Sequence, residues 1–295
     1  MSENQEDYKK KLKEYYDEKS AVYSATYTGE GRYPTGLQRQ KIAIEMIDCI
    51  DPKPESILDA GCGDARMIIE LSKIGLAARG FDLSDGMLNV GRKLLRENQL
   101  SESLIESGDV YKISSADSSH DLLLSLGVIE NLDRHKELFE EFSRVLKPGG
   151  RILVSLENQL FSLFTFNKHT LRFLGDFFGK IGVPSDTSRE VLKELGTLLN
   201  VDEVEYVSRI IGDDQIDREG VDLPVYHTLN IKSEMKKLGF ELEKLRYYHV
   251  HPIPPRFENQ FPEVFGDLAL SLESAQETDY SALVCNCMLV QAVKI

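Results

Sequence analysis

Positive charge is in short supply: 35 Lys and Arg stand against 49 Asp and Glu, a formal net charge of −14 over 295 residues. A field of that sign opposes binding to DNA, RNA and anionic membranes, so a small-molecule partner is expected and a nucleic-acid partner is not. Long apolar runs are missing as well. No stretch approaches the roughly 20 residues of a membrane-spanning helix, which excludes stable insertion by that route. The first residues, Met1-Ser2-Glu3-Asn4-Gln5-Glu6-Asp7, are too polar for a secretory leader, and a cytoplasmic location is expected. The few cysteines, Cys49, Cys62, Cys285 and Cys287, lack the paired spacing of a zinc site, and no metal is expected. Cys285 and Cys287 alternate along an apolar strand, as small hydrophobes do. There is no internal repeat and no low-complexity tract.

What remains is an alternation of strand and helix signals long enough to bury a large core, which favours one large domain over two small ones. Gln5 to Ser20 reads as an amphipathic helix with Tyr8, Leu12, Tyr15 and Lys19 on one side, and Lys9, Lys10, Lys11 and Lys13 as its solvated face. A Tyr- and Gly-rich loop, Tyr23 to Pro34, follows. A second helix, Leu37 to Ile50, carries Ala43, Met46, Ile47 and Ile50 on one stripe and ends before Pro52 and Pro54.

The stretch Ile57-Leu58-Asp59-Ala60-Gly61-Cys62-Gly63-Asp64-Ala65-Arg66 organises the rest. A short apolar strand ends in an acid and two glycines, which permit φ > 0 and close approach of a ligand, before Met67, Ile68, Leu71 and Ile74 begin a helical stripe. A pyrophosphate fits this turn poorly. Arg66 stands where the dinucleotide fingerprint has its third glycine, and the Asp59 carboxylate suits an ammonium instead. About 20 residues beyond the glycines, Asp82 closes a second strand, where an acid can accept hydrogen bonds from both ribose hydroxyls of a nucleoside. Leu83 or Met87 would cover the base. A third strand ends at Gly108-Asp109-Val110. His120 to Leu126 is a nearly continuous apolar run, as in a strand buried on both faces, and Leu146-Lys147-Pro148-Gly149-Gly150 stops a helix and turns into the next strand.

In order and spacing these landmarks resemble the class I S-adenosylmethionine-dependent methyltransferases. The resemblance covers residues 57–155 and implies an α/β fold: a Rossmann-like, seven-stranded, mostly parallel sheet with an antiparallel last strand, flanked by helices, with an N-terminal helical lid and an inserted helical cap. It implies S-adenosylmethionine as cofactor and S-adenosylhomocysteine as product. Asp59, Gly61, Gly63, Asp82, Leu83, Met87, Asp109, Val110 and Leu126 would hold the cofactor, with Tyr23 from a segment that folds over it in similar proteins. Asp109 would accept the adenine amino group, and Val110 would offer its backbone to the ring edge. Many relatives have Glu-His after the fourth strand; this chain has Glu130-Asn131, so a histidine base is absent there.

Expected boundaries are 1–50 for the lid, 51–158 for the cofactor-binding core, 159–230 for an inserted substrate cap and 231–295 for the rest of the sheet. An insertion of about 70 residues is too long for a plain loop. Its aromatic part, Gln159 to Gly182, could roof a substrate pocket or form a homodimer face. A helix from Ser188 to Leu199 has a serine in capping position, and the acidic loop from Asp213 to Asp222 reads as solvated. Strand six, Phe240 to Val250, ends near His249, His251 and Arg256, and the strand from about Leu283 is the antiparallel seventh.

The insertion and the two-histidine strand end resemble, more loosely, bacterial methyltransferases acting on sugars or other small polar metabolites. Expected chemistry is methyl transfer to a hydroxyl of such an acceptor, with Glu130, His249 or His251 as base and Tyr226, His227 and Arg256 at the substrate. The rival readings are an N-methyltransferase of a small amine, a nicotinamide oxidoreductase, which Asp59 and Arg66 disfavour, and a non-catalytic S-adenosylmethionine-binding protein.

Overall fold

The computed structural model describes residues 3–23, 35–201, 226–227, 229–261, 268–273 and 280–295. The loop beyond Tyr23 and the acidic loop between Asp213 and Asp222 lie outside the described residues. Contacts divide the chain into two compact units. One comprises 1–156, 229–246 and 288–295, and the other comprises 157–228 and 247–287.

The first unit begins with α1 (Glu3–Lys19) and α2 (Thr35–Asp48). It continues through β1 (Ile57–Ala60), α3 (Arg66–Lys73), β2 (Ala78–Asp82), α4 (Asp85–Glu97), β3 (Ile105–Ser107), β4 (His120–Ser125), α5 (His135–Val145) and β5 (Leu146–Glu157). The seven strands, with β6 (Phe240–Val250) and β7 (Cys285–Lys294), run in the order β3-β2-β1-β4-β5-β7-β6. Pairing is parallel from β3 to β5, and the last strands are antiparallel. Strand order reverses between β1 and β4, which opens a crevice at the carboxyl ends of the strands where open α/β sheets bind ligands.

The strands form because their runs are mostly apolar and buried on both faces: Ile57, Leu58 and Ala60 of β1, with Asp59 as its one buried acid, and Leu122, Leu123 and Leu124 of β4. Helices then cover both faces. Met67, Ile68, Ile69 and Leu71 of α3, Met87, Leu88 and Leu95 of α4, and Leu138, Phe139, Phe142 and Val145 of α5 are buried, each contributing about 1.5–3 kcal/mol relative to exposure. The Phe139 ring packs 5.7 Å from Phe142 and 5.8 Å from Phe240.

Two local expectations are corrected. The Lys147-Pro148-Gly149-Gly150 segment is not a turn ahead of β5 but a bulge within it. Leu146 already pairs with His120, and a register shift before Leu122 absorbs the extra residues, with Gly149 at φ 72°. In the second unit, the expected helix at Ser188 begins earlier, at Ser185, where Pro184 is the capping residue and Asp186 complements the helix N-terminus.

Candidate functional site

The β1–α3 turn is built around glycine. Gly61, at φ 85°, donates to the Phe81 carbonyl at 2.9 Å, and a Cβ there would come within 2.3 Å of Val128 Cγ2. Gly63 donates to Asp82 Oδ2 at 2.8 Å, while Ser84 N donates to Oδ1 at 2.8 Å. Asp82 is thereby fixed at the end of β2 with its remaining lone pairs directed at a ligand-sized cavity. Burial raises its pKa, against those backbone hydrogen bonds.

The cavity opens to solvent, and the space within and in front of it amounts to about 1000 Å³. It brings together Tyr23, Gly61, Gly63, Asp82, Leu83, Met87, Asp109, Val110 and Leu126, nine of the ten expected cofactor residues. Asp59 lines a second, smaller cavity, which shares Gly61 and Leu126 with the first. Arg39, Gln40 and Arg66 line that cavity too.

Asp59 is 3% exposed, and its pKa is pushed up to about 7 by burial and by the neighbouring Asp82 and Asp64 charges, against the pull of Arg39. A buried acid so placed gains most when a cation arrives. Arg66, which argued against pyrophosphate, pairs with buried Asp64 at 2.8 Å. Arg39 escaped the sequence reading: it sits mid-helix in α2 with no motif around it. A Cβ on Gly127 would come within 2.3 Å of its Nη1, so the guanidinium lies against the loop after β4. An acid and two guanidinium groups around one small cavity match the ammonium and carboxylate of an amino acid, while the larger cavity matches a nucleoside.

Helix α1 supplies a wall of the cavity, and it includes Lys9 and Lys13, two of the four lysines expected on its solvated face. Tyr8, Lys9, Leu12, Lys13 and Tyr16 line the larger cavity. Lys9 Nζ lies 2.5 Å from Asp109 Oδ2 and Lys13 Nζ 2.8 Å from Asp85 Oδ2. Tyr8 donates to the Asn131 carbonyl at 3.0 Å. Asp17 accepts from Ser84 Oγ at 2.6 Å and Gly86 N at 2.8 Å, capping α4 from another element, and these bonds with Lys13 hold its pKa low despite burial.

The loop after β4 answers for Glu130. Its Oε1 accepts from Ser155 Oγ at 2.7 Å, and Ser155 Oγ accepts from Gly127 N at 2.6 Å, with Gly127 at φ 81°. Glu130 therefore anchors the loop that carries Leu126 and Val128 to the cavity.

In the second unit, the buried rings of His249 and His251 lie 4.6 Å apart, with Phe161 4.7 Å from His251. His251 Nδ1 contacts Glu258 Oε1, a partner the sequence reading missed seven residues downstream. Burial lowers His251 to about 4 and raises Glu258 to about 7, and it holds His249 well below the usual imidazole range. Tyr226 is buried and receives Gln159 N at its carbonyl; His227 is half-buried. Arg256 donates to the carbonyls of Phe166 at 2.7 Å and Leu199 at 2.9 Å, bridging two helix ends.

No described helix is long and apolar enough to cross a membrane, and no group of three or more metal-ligating side chains occurs among the described residues.

A methyltransferase-domain family profile matches residues 58–154. The chain is 27% identical over 137 residues to a demethylmenaquinone methyltransferase of Halalkalibacterium halodurans, covering 43% of this chain and 55% of that one. It is 30% identical over 148 residues to the Geobacillus protein of the same name, covering 48% and 63%. The chain thus spans less than two thirds of these relatives' length. Among solved structures, the [4+2]-cyclase SpnF superposes with a TM-score of 0.55 at 15% identity, over 96% of this chain and 94% of that one, which is a likeness of fold alone. With the profile lying on β1 to β5 and the two cavities at the carboxyl ends of those strands, residues 58–154 are similar to methyltransferase domains, on a fold shared with solved structures of low sequence identity.

Proposed function

We propose that the chain transfers a methyl group from S-adenosylmethionine to a hydroxyl of a small polar acceptor, a sugar or related metabolite, and releases S-adenosylhomocysteine. The observation that carries the cofactor reading is the cavity pair: a nucleoside-sized groove sharing Gly61 and Leu126 with a small cavity lined by Asp59, Arg39 and Arg66. When bound, the cofactor supplies an electrophilic methyl group on a sulfonium. Asp82 holds the ribose hydroxyls, Leu83 and Met87 cover the adenine, and Val110 meets its edge. Asp59 takes the ammonium and Arg39 the carboxylate. Holding the donor in line with the acceptor and excluding water supply much of the acceleration.

A hydroxyl acceptor must also lose a proton. His251 is the first candidate: burial keeps it neutral, with Nδ1 held by Glu258 and Nε2 the nitrogen to take the proton, and the same burial makes it a weaker base than a free imidazole. His249 is the second candidate. Glu130 is the third, although its carboxylate already receives the Ser155 hydroxyl. Tyr226, His227 and Arg256 are the proposed surroundings of the acceptor.

The test is incubation with S-adenosylmethionine and a panel of sugars, small amines and demethylmenaquinone, the last because two relatives carry its name, with S-adenosylhomocysteine and methylated product read by mass spectrometry. A methylated sugar hydroxyl supports the reading. Methylation of the amines alone replaces it with N-methylation, and of demethylmenaquinone alone with a quinone-directed enzyme. Cofactor binding with no product from any acceptor favours the non-catalytic reading.

A further inference from the structure

The acid at the end of β3 has an occupant of its own. Asp109 Oδ1 accepts from Tyr111 N at 2.9 Å, and its Oδ2 is contacted by Lys9 Nζ at 2.5 Å. Both side chains are only partly exposed, Lys9 at 36% and Asp109 at 23%. Lys9 and Asp109 both line the larger cavity, so the ammonium already holds the carboxylate that the nucleobase amino group of the proposed cofactor would need. Lys9 is presented there by α1, itself held by Tyr8 on Asn131 and by Asp17 on Ser84 and Gly86.

We propose that Lys9 is a specificity-determining residue of the cofactor site: it competes with the adenine amino group for Asp109, so that the cofactor must displace it to bind. The proposal rests on the reading of this groove as the S-adenosylmethionine site. The competition has a chemical signature. A lysine ammonium donates and cannot accept, so it opposes an amino group at the purine 6-position and favours a carbonyl there. Lys9 thus lowers affinity for the adenine-bearing ligand and narrows the preference for adenine over hypoxanthine.

The experiment is calorimetric titration of the full chain with S-adenosylhomocysteine and with S-inosylhomocysteine, in which a carbonyl replaces the amino group. Wild type, Lys9→Met, Lys9→Arg and Lys10→Met are compared. Lys10 lies on the same helix, 74% exposed, beside Glu14, and controls for loss of a charge. Lys9→Met is expected to bind S-adenosylhomocysteine about two- to fivefold tighter than wild type, the range of a partly exposed ion pair. It is expected to bind S-inosylhomocysteine no tighter. Lys9→Arg and Lys10→Met should behave as wild type, and added salt should close the gap between wild type and Lys9→Met. Unchanged or weaker binding of S-adenosylhomocysteine by Lys9→Met, while wild type binds, overturns the proposal and makes Lys9 an ordinary part of the wall. Absence of binding by folded wild type and every variant overturns the cofactor reading instead.

Discussion

Replacing Asp59 with asparagine should make the ligand-free protein more stable and its cofactor site worse. Asp59 is 3% exposed and carries a pKa of about 7, because burial and the charges of Asp82 and Asp64 outweigh Arg39. An acid raised from an ordinary 3.8 to about 7 binds its proton more tightly in the folded state than in the unfolded one. Its ionisation therefore destabilises the fold by up to about 4 kcal/mol, a cost absent below the unfolded pKa, growing as pH rises and complete above the folded pKa. Asparagine keeps the shape and removes the charge. At pH 8, Asp59→Asn should melt on the order of 5–15 °C above wild type, taking about 2–4 °C per kcal/mol for a chain of this size. The advantage should fade towards pH 4. The same substitution removes a charge-assisted hydrogen bond to the ligand ammonium, so S-adenosylhomocysteine should bind about ten- to a hundredfold more weakly. Scanning calorimetry across pH and titration at pH 7.5 read both effects. A lower melting temperature by the same amount at pH 5 and pH 8, with binding intact, would refute the reasoning.

The same carboxylate predicts the pH dependence of cofactor binding. Wild-type affinity for S-adenosylhomocysteine should rise about fivefold between pH 6 and pH 7 as Asp59 ionises, and Asp59→Asn should flatten that rise. Arg39→Met should weaken S-adenosylhomocysteine about tenfold and its decarboxylated analogue less, since loss of the guanidinium also raises Asp59; the difference between the two ligands isolates the carboxylate contact. Asp17→Ala should cost about 1–2 kcal/mol in urea denaturation, since it removes the acid capping α4, and should speed hydrogen exchange in α1.

The cofactor groove was legible in sequence wherever strand ends set position. Asp82 ends a strand, Gly61, Gly63, Asp109 and Leu126 follow one by no more than three residues, and the parallel register of β1 to β4 carries them all to the carboxyl end of the sheet. Helix faces were harder. Tyr8, Leu12 and Tyr16 form the stripe that meets the cavity, and Lys9 and Lys13 lie one residue round from the first two. A lysine there reads as solvated until the carboxylates of Asp109 and Asp85 are known to face it. Arg39, Asp17 and Ser155 act through partners far along the chain, and no local pattern announces them. Glu258 is a milder case: seven residues after His251, it comes back to that ring through the Pro-rich strand end, which a strand-and-helix reading leaves featureless. The bulge at Lys147 to Gly150 went unseen because a glycine pair signals a change of direction without telling whether the ladder continues through it.

If the groove lined by Asp82 and Asp109, together with the cavity at Asp59, is an S-adenosylmethionine site, the chain must bind the cofactor and its product. The most direct test is calorimetric titration of S-adenosylhomocysteine into wild type and Asp82→Ala, with melting curves confirming that both are folded. One site per chain with micromolar affinity is expected in wild type, and no detectable binding in Asp82→Ala. A folded wild type that takes up no ligand, or an Asp82→Ala variant that binds as well as wild type, would contradict that assignment.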